Sequence, residues 1–303
     1  MTTIDSTRTP VPASVRSASP SPSGSRRGPT SRSRGITLGS SAILLVIAAF
    51  FCIPLLWVVL ASFDPNASLS VAWPKTPSLD NYKAIMTPET TFRPLWNSVL
   101  LCGGASIVTI ACSALAAYPL SRYESRAKRP FLLTIIFATG LPITAIMIPV
   151  YAMFVQVNLI DSMFGAILFL AASSMPYAIF LTKNFMDGVP KDIEESAWTE
   201  GASTLRTLWS IVLPLMRPGM AVVTIFTFVN MWGNFFVPFM LLLSPDKLPA
   251  AVSLFTFSSQ YGQVAYGQLA AFSIFYSAPV VVLYLLLGRR LGSGFAAAGG
   301  IKG

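Results

Sequence analysis

Four polar side chains share one face of an apolar stretch and could hydrogen-bond a neutral polar solute. Thr224, Thr227, Asn230 and Asn234 follow one another at helical spacing, which places them on one side of an α-helix. Amides are costly to expose to lipid, so this face should turn towards other helices or a water-filled path. Trp232 lies nearby, and an aromatic ring suits the apolar face of a sugar. Two interpretations stay open: a translocation path formed by Thr227, Asn230, Trp232 and Asn234, or packing between helices.

Other kinds of chemistry are excluded by residues that the sequence lacks. It has no histidine, which rules out Ser-His-Asp and Cys-His nucleophile systems and histidine-bound metal or haem. No glycine precedes a lysine, so there is no phosphate-binding P-loop. Cys52, Cys102 and Cys112 lie within apolar runs and are expected to be small buried hydrophobes. We therefore predict no catalytic residue, no cofactor and no metal site in this chain.

A polar segment, residues 183–218, has the pattern of two short helices separated by a sharp stop. Pro190 and the acidic residues after it suit a first helical turn. Gly201 can take the left-handed conformation that ends a helix, and Ser203 or Thr204 can cap the next one. Pro214 marks the turn back to the following apolar run. The second helix is predicted to have one apolar face, made of Leu205, Leu208, Trp209 and Val212.

Six charge-free apolar runs are each long enough to cross a bilayer, which takes about 20 helical residues. The chain is 53% hydrophobic and only 11% charged, a composition typical of a polytopic membrane protein. The first run begins too late and is too long for a cleavable signal peptide. We predict an all-α protein with six transmembrane helices, at 39–62, 95–120, 131–155, 163–182, 219–243 and 269–288.

The distribution of basic residues predicts the orientation. All but four of the 21 Lys and Arg residues lie in the N-terminal tail, in 121–130, in 183–218 or near the C-terminus. Six crossings place these segments on one side, and the positive-inside rule makes that side the cytoplasm, with both termini inside. Since the charges flank apolar runs, they do not indicate nucleic-acid binding. The four exceptions are Lys75, Lys83, Arg93 and Lys247.

The composition changes near residue 35. The first 35 residues are rich in Ser, Pro and Arg and have no periodic apolar face, so we predict a disordered basic cytoplasmic tail at 1–35. Its charge could also touch anionic membrane lipid. A transmembrane domain is predicted at 36–303, with 183–218 as its long cytoplasmic loop.

The spacing within that loop resembles the signature of the inner-membrane permease subunits of binding-protein-dependent ABC transporters. The signature is Glu-Ala-Ala, three residues, Gly, nine residues, Ile, one residue and Leu-Pro, and only the middle alanine differs here. In that family the loop docks into a cleft on a separate ATP-hydrolysing subunit. The resemblance implies an ABC type I importer permease fold, with ATP used by the partner. The matching positions are Glu195, Ser196, Ala197, Gly201, Ile211, Leu213 and Pro214.

Weaker matches resemble the carbohydrate branch of the family. Pro77–Tyr82, followed by Asn97, resembles sugar-transporting permeases, although Asn97 could equally be a helix-entry residue. The run Gly292–Gly303 resembles the ends of maltose-type permeases and is either a flexible tail or a contact to the ATPase. The family often has adjacent Trp and Asn where Gly233 separates them here, which puts the role of Trp232 in doubt.

The resemblance implies the permease subunit of an importer that moves a sugar or oligosaccharide into the cytoplasm by alternating access, located in the cell membrane. The implied partners are ATP-binding cassette subunits, a second and different permease subunit, and an extracytoplasmic solute-binding protein. The alternative is a stand-alone channel or carrier for a small neutral solute. A carrier of that kind would be expected to have intramembrane charge or histidine.

Overall fold

The computed structural model describes residues 31–259 and 264–299. Every regular element in these ranges is helical, as the all-α prediction requires. Two π-helical turns, Pro88–Phe92 and Leu208–Val212, and a 3₁₀ turn, Pro245–Lys247, connect α-helices. The α-helices are α1 (Ser31–Ser62), α2 (Asp80–Ile85), α3 (Arg93–Arg122), α4 (Lys128–Thr139), α5 (Ile143–Gln156), α6 (Met163–Asp187), α7 (Lys191–Thr199), α8 (Thr204–Thr207), α9 (Leu213–Leu215), α10 (Arg217–Trp232), α11 (Phe236–Leu241), α12 (Ala250–Ser259) and α13 (Tyr266–Gly299).

Four helical stretches are long and apolar enough to cross a membrane unaided: Ile43–Ser62, Pro88–Arg122, Met163–Asp187 and Tyr266–Gly288. Two further crossings each require a bent pair of helices. One pair is α4 with α5, bent by 93°, and the other is Thr204–Leu215 with α10, bent by 84°. The part of the chain described here therefore has four candidate spans, or up to six if each bent pair is one span.

The third predicted span is two helices rather than one. Gly140 follows α4, and Pro142 precedes α5 with an extended ψ of 124°. Proline has no N–H to continue a helix and disfavours the helical conformation in the residue before it. The apolar run 131–155 is continuous in hydropathy but broken in its backbone.

The fifth predicted span, 219–243, is also interrupted. Helix α10 ends at Trp232, and α11 begins only at Phe236. Asn234 lies in the gap, where its Oδ1 accepts a hydrogen bond from the backbone N–H of Val237 at 3.0 Å. This contact caps the start of α11, so Asn234 has a local structural role whether or not it also faces a solute.

The chain divides into two compact units, residues 1–52 and 53–303. In the first unit, α1 begins at Ser31, upstream of the predicted boundary at residue 36, while residues 1–30 of the predicted tail lie outside the described ranges. At the other terminus, α13 reaches Gly299 and includes most of the small-residue run that begins at Gly292, whose last residues, 300–303, are not described.

The prediction that all three cysteines are buried is right only for Cys102. Cys112 is half-buried, and Cys52 is exposed. Cys52 lies on α1 among exposed apolar side chains such as Phe50 and Phe51. A small apolar residue such as cysteine suits a lipid-facing position as well as a buried one. Its apolar neighbours in the sequence therefore could not show whether Cys52 is buried.

Helices α3 and α6 run parallel to each other and form the centre of the second unit. Small residues let them approach closely, since Ala105, Ala166 and Ala171 are almost fully buried between larger side chains. The Thr109 hydroxyl also donates to the carbonyl of Ala171 at 3.3 Å. Small residues and hydroxyl bonds are what membrane helices use in place of a hydrophobic driving force. Helix α10 packs against both of them, and α13 packs against α10.

Where α3 and α6 begin, polar contacts fasten the connecting loops. The Asn97 amide donates to the carbonyls of Asp246 at 2.8 Å and Leu248 at 3.2 Å. Ser98 Oγ accepts from the N–H of Ala250 at 2.8 Å. Of the two interpretations of Asn97, these contacts favour the helix-entry role.

Asp161 forms a second clasp at the same end. It has a left-handed φ of 54°, and its carboxylate accepts from the backbone N–H groups of Leu243 and Ser244, at 2.9 and 3.0 Å. Lys247 Nζ lies 2.7 Å from Asp161 Oδ2. These donors, with Lys247 foremost and the Ser244 hydroxyl next, lower the pKa of the Asp161 carboxyl well below its usual range.

The opposite end of the bundle carries the 183–218 segment. There α3 and α6 end at Arg122 and Asp187, and the Ser121 hydroxyl donates to Asp187 Oδ1 at 2.6 Å. The two predicted inner segments, 121–130 and 183–218, thus share one end. The loops that hold Asp161 and Lys247 share the other.

Candidate functional site

The 183–218 segment has the predicted helix, stop and helix. Pro190 lies just before α7 rather than inside its first turn, and Asp192 and Glu194 follow in that turn. After α7, Gly201 has a φ of +87° and donates its N–H to the carbonyl of Trp198 at 3.0 Å. A Cβ at Gly201 would meet nothing within 4 Å. Glycine is needed here for its backbone conformation and not for space.

Ser203 begins the second helical part, as one of the two predicted caps. Its Oγ accepts from the N–H of Arg206 at 3.4 Å, a long contact, and its ψ of 156° is typical of an N-cap. Helix α8 is a single turn, and it passes directly into the π-helical turn Leu208–Val212 and then into α9.

The predicted apolar face of this second helix divides in two. Leu208 and Val212 are 1% and 0% exposed and pack with Tyr118 and Met186. Leu205 and Trp209, by contrast, are 61% and 54% exposed. The π-helical turn has more residues per turn than an α-helix, so side chains at α-helical spacing do not stay on one face.

The signature positions differ in where they lie. Glu195 and Ser196 are exposed, and Ala197, in the same helix, is buried. Ile211, Leu213 and Pro214 are half-buried. The exposed surface around the Gly201 stop is made of Glu195, Trp198, Gly201, Leu205 and Trp209, and we refer to it as the motif surface.

Glu194, the neighbour of Glu195, has a role that the sequence did not reveal. It is 1% exposed, its Oε1 lies 2.5 Å from Arg122 Nη2, and its Oε2 accepts from the Tyr118 hydroxyl at 2.8 Å. The available signal was weak: Arg122 directly follows an apolar run, and Glu194 is one acid among several. Only the fold brings these two residues together.

A cavity of about 600 Å³ lies among helices α4, α5, α6 and α10. Three of the four predicted path residues line it, namely Thr227, Asn230 and Asn234. Asn230 is exposed, whereas Thr227 is buried and donates its hydroxyl to the carbonyl of Val223 at 2.6 Å. Other polar and aromatic lining residues are Thr139, Ser173, Ser174, Tyr177 and Phe226.

Trp232, the fourth predicted path residue, does not line this cavity. It is 3% exposed and stacks between Phe228 and Tyr276. Its Nε1 donates to the carbonyl of Tyr276 at 3.0 Å, and the Tyr276 hydroxyl donates back to the carbonyl of Trp232 at 2.6 Å. These contacts join α10 to α13 and agree with the packing interpretation for this residue.

The cavity offers hydroxyl and amide groups beside aromatic rings and apolar side chains. Tyr177 and Phe226 stack with their ring centroids 4.7 Å apart. Among the described residues, no three His, Cys, Asp or Glu side chains gather as metal ligands. The arrangement can hydrogen-bond a neutral solute and contact its apolar face.

The chain matches the family model for the binding-protein-dependent transport system inner membrane component over residues 109–293. It is 30% identical to the galactooligosaccharides transport system permease protein of Bacillus subtilis, over 88% of this chain and 95% of that protein. It is 28% identical to the diacetylchitobiose uptake system permease protein of Streptomyces coelicolor, over 88% and 89%. It is 29% identical to a trehalose/maltose transport system permease protein of Thermococcus litoralis, over 88% and 97%.

Solved structures share the fold. A chain of a bacterial ABC transporter involved in the import of the acidic polysaccharide alginate superposes with a TM-score of 0.74 at 19% identity, covering 86% of this chain and 98% of that chain. A chain of the MetNI methionine ABC transporter gives 0.54 at 13% identity, covering 67% and 95%. With the family match across most of its length, this chain belongs to the inner-membrane components of binding-protein-dependent transport systems.

Proposed function

We propose that this protein is the permease subunit of an ATP-driven importer for a sugar or oligosaccharide, and that its motif surface docks on a separate ATP-hydrolysing subunit. The observation that carries the proposal is the motif surface itself. It exposes large apolar side chains, Trp198, Leu205 and Trp209, next to the end of α7 at Gly201. Apolar patches of this kind on a polar loop mark contacts with other proteins.

Within this surface we assign distinct roles to the signature residues. Glu195 is exposed and makes a polar contact with the ATPase. Gly201 sets the bend between α7 and α8, for which its φ of +87° is required. Leu213 and Pro214 fix the exit of the segment towards α10, where Pro214 lies in the first turn of α9. Ser196, Ala197 and Ile211 hold the spacing between these points.

The cavity between α4, α5, α6 and α10 is our candidate for the solute path. Its volume falls in the range of small-molecule sites, about 300–1,000 Å³, and its polar lining is uncharged. Three permeases with similar sequences carry names of carbohydrate systems, which supports a carbohydrate cargo. Thr227, Asn230 and Asn234 are the path residues that we retain, and Trp232 is assigned to packing.

The surrounding assembly follows from the same proposal. We infer six spans, namely the four continuous ones, the bent pair α4–α5, and α10 followed by α11, so that Thr204–Leu215 stays in the cytoplasmic segment. Both termini lie in the cytoplasm of a cell-membrane protein. The partners are ATP-binding cassette subunits, a second permease subunit in a heterodimer and an extracytoplasmic solute-binding protein. Closure of the ATPases would pull on the motif surface and switch the opening of the cavity from the cytoplasm to the outside.

The experiment that tests the proposal begins with purification of the detergent-solubilised protein from its native membrane, with co-purifying proteins identified by mass. The complex is then reconstituted in liposomes with ATP inside, and uptake of a panel of labelled di- and oligosaccharides is measured. We expect an ATP-binding subunit to co-purify and at least one sugar to be taken up only with ATP.

Two variants connect this activity to the motif surface. Glu195→Lys and Gly201→Pro should abolish solute-stimulated ATP hydrolysis, because one reverses a contact charge and the other cannot reach a positive φ. Thr199→Ala, on exposed α7 outside the signature, is the matched control and should behave as wild type. Wild-type coupling in both signature variants, or uptake by this chain alone without ATP, would contradict the proposal.

A further inference from the structure

A buried ion pair joins helix α7 to the end of α3. Arg122 Nη2 and Glu194 Oε1 are 2.5 Å apart, and the two side chains are only 3% and 1% exposed. The Tyr118 hydroxyl bonds the second carboxylate oxygen of Glu194. The three side chains form a polar cluster inside the protein, whereas Glu195, the next residue of α7, is exposed.

Helix α7 has few other anchors. It has nine residues, a length at which an isolated helix is unstable in water. Within it, only Glu194 and Ala197 are buried, and Ala197 contributes a single methyl group. The position of α7 on the bundle therefore depends chiefly on the groups that hold Glu194.

The same guanidinium also holds the end of α6. Arg122 Nη2 donates to the carbonyl of Val189 at 3.2 Å, and Nη1 donates to Ser121 Oγ at 3.2 Å. Ser121 in turn bonds Asp187, the last residue of α6. Since the middle of α6 lines the cavity through Ser173 and its neighbours, one continuous set of contacts leads from α7 to the cavity wall.

A buried ion pair is poorly suited to stability and well suited to fixing a geometry. The desolvation of two charges offsets most of their attraction, and a well-packed apolar pair is often at least as stabilising. Here the guanidinium is oriented by its bonds to Ser121 and the carbonyl of Val189, and the carboxylate by its bond from Tyr118, so the two charges meet in one defined arrangement. Loss of either partner leaves an unpaired buried charge, so the contact does not slide as an apolar contact can.

We propose that Arg122 is a positioning residue, which locks α7 to α3 and α6 through Glu194 so that a pull on the motif surface moves all three helices together. The inference rests on the proposed function, because it concerns how a motion imposed by the ATPase reaches the cavity. Arg122 contacts neither the ATPase-facing surface nor the solute path.

Distance measurements test the lock directly. Spin labels are placed on exposed positions of α7 and α3, Thr199→Cys and Leu115→Cys, in the full chain with its native cysteines replaced. In the purified complex with wild-type Arg122, we expect the distance between labels to be the same with and without a non-hydrolysable ATP analogue. In Arg122→Leu, we expect the distribution to broaden and the analogue to change the distance, because α7 then moves without α3.

Transport gives the second readout, the number of solute molecules moved per ATP hydrolysed, with the sugar that the liposome panel selects. Coupling between sites commonly corresponds to factors of about 5 to 150. We therefore expect a fall of roughly fivefold or more in Arg122→Leu and a smaller fall in Arg122→Lys, which keeps the charge. The ratio is counted per assembled complex, so a change in stability alone does not move it.

The control is Lys128→Met, which breaks an ion pair at the same end of the bundle between Lys128 and the exposed Glu124. Exposed pairs contribute little, and we expect wild-type distances and ratios. If Arg122→Leu does not fold, Arg122→Lys and Tyr118→Phe carry the test, since each weakens the hold on Glu194 and should broaden the distance distribution. Wild-type distances and ratios in these variants would overturn the proposal. Failure of any ATPase to co-purify would instead count against the proposed function. The contact between α7 and α3 would still be tested by comparing the width of the label-distance distribution in the wild-type and variant chains alone.

Discussion

Gly201 is the residue whose substitution gives the clearest conformational result. Its φ of +87° lies in the left-handed region, and the space around a new Cβ is empty. We expect Gly201→Ala to lower the free energy of unfolding by about 1–2 kcal/mol, the cost of placing an L-residue in that conformation. Thermal unfolding in detergent measures this change.

The matched control for Gly201 is Gly103→Ala. Gly103 lies inside α3, and a Cβ there also meets nothing within 4 Å. Because alanine is a better helix former, this variant should be about 0.5–1 kcal/mol more stable. Equal effects of the two substitutions would show that the left-handed conformation of Gly201 has no special cost.

Asp161 makes the stability of its clasp with Leu243, Ser244 and Lys247 depend on pH. Its pKa in the folded protein is lowered by Lys247, Ser244 and the N–H of Leu243, whereas an unfolded aspartate titrates near about 3.9. The stabilisation is therefore complete above about pH 4 and is lost as the pH falls further towards the folded pKa. Acid unfolding followed by tryptophan fluorescence should show this loss in the wild type and a weaker pH dependence in Asp161→Asn. The same slope in both proteins would remove Asp161 as its source.

At the residue scale, the sequence predicted the backbone stop at Gly201 better than it predicted which side chains around the motif are buried. Gly201 could be placed, and the second cap could be narrowed to Ser203 or Thr204, because these conformations follow from local backbone chemistry. Glu194 and Glu195 could not be told apart, since adjacent helical residues point about 100° from each other and only the position of α3 decides which one is inside. Arg122 lies far along the chain from Glu194, and no local pattern pairs them.

At the start of the π-helical turn Leu208–Val212, two adjacent residues have opposite surroundings. Leu208 is buried against the bundle, and Trp209 is exposed on the motif surface. We expect Leu208→Ala to lower the free energy of unfolding by about 2–5 kcal/mol, as for other buried leucines. Trp209→Ala should leave unfolding nearly unchanged and reduce the amount of ATPase subunit that co-purifies.

These two variants are each other's control, and both are followed by thermal unfolding and by co-purification. A strong loss of stability in Trp209→Ala, with full retention of the ATPase, would mean that Trp209 belongs to the core and not to the motif surface.

At the element scale, hydropathy predicted where apolar helices lie but not where they break. Runs 95–120 and 163–182 became the continuous helices α3 and α6. Runs 131–155 and 219–243 did not stay continuous, because Pro142 and the Gly233–Asn234 pair interrupt them. A hydropathy average registers neither the missing N–H of a proline nor a side-chain cap, so the bends had to come from the backbone.

For the whole molecule, the two ends of the bundle give an orientation that can be measured. Ala127 lies at the end with the motif surface, and Ala72 lies in the polar stretch between α1 and α2. Both are exposed. In a cysteine-free background, we expect an impermeant thiol reagent added to intact cells to label Ala72→Cys and to reach Ala127→Cys only after the membrane is opened. The reverse pattern would contradict the positive-inside assignment.

The cavity belongs to the same scale, because no single helix forms it. Thr139, Ser173 and Asn230 come from three predicted spans. Only Asn230 was predicted as a path residue, from its helical spacing with Thr227 and Asn234, whereas the spacing of Thr139 and Ser173 did not connect them to it. Their convergence depends on the bend between α4 and α5 and on the parallel packing of α3 and α6, which no periodicity encodes. Trp232, whose ring was predicted to suit the apolar face of a sugar, lies outside the cavity because it packs against Tyr276 of α13.

Asn230 and Trp232 therefore provide the last test, as near neighbours on α10 with different surroundings. Asn230 is exposed in the cavity, so Asn230→Leu removes a hydrogen-bonding group from the proposed path without opening a gap in the packing. We expect sugar uptake to fall while unfolding and ATPase co-purification stay as in the wild type. Trp232→Ala empties a buried site and cuts its bond to Tyr276, and should lower the free energy of unfolding by about 3–5 kcal/mol. If Asn230→Leu destabilises the protein and leaves uptake per folded molecule unchanged, the polar face of α10 serves packing alone, and the solute must pass elsewhere.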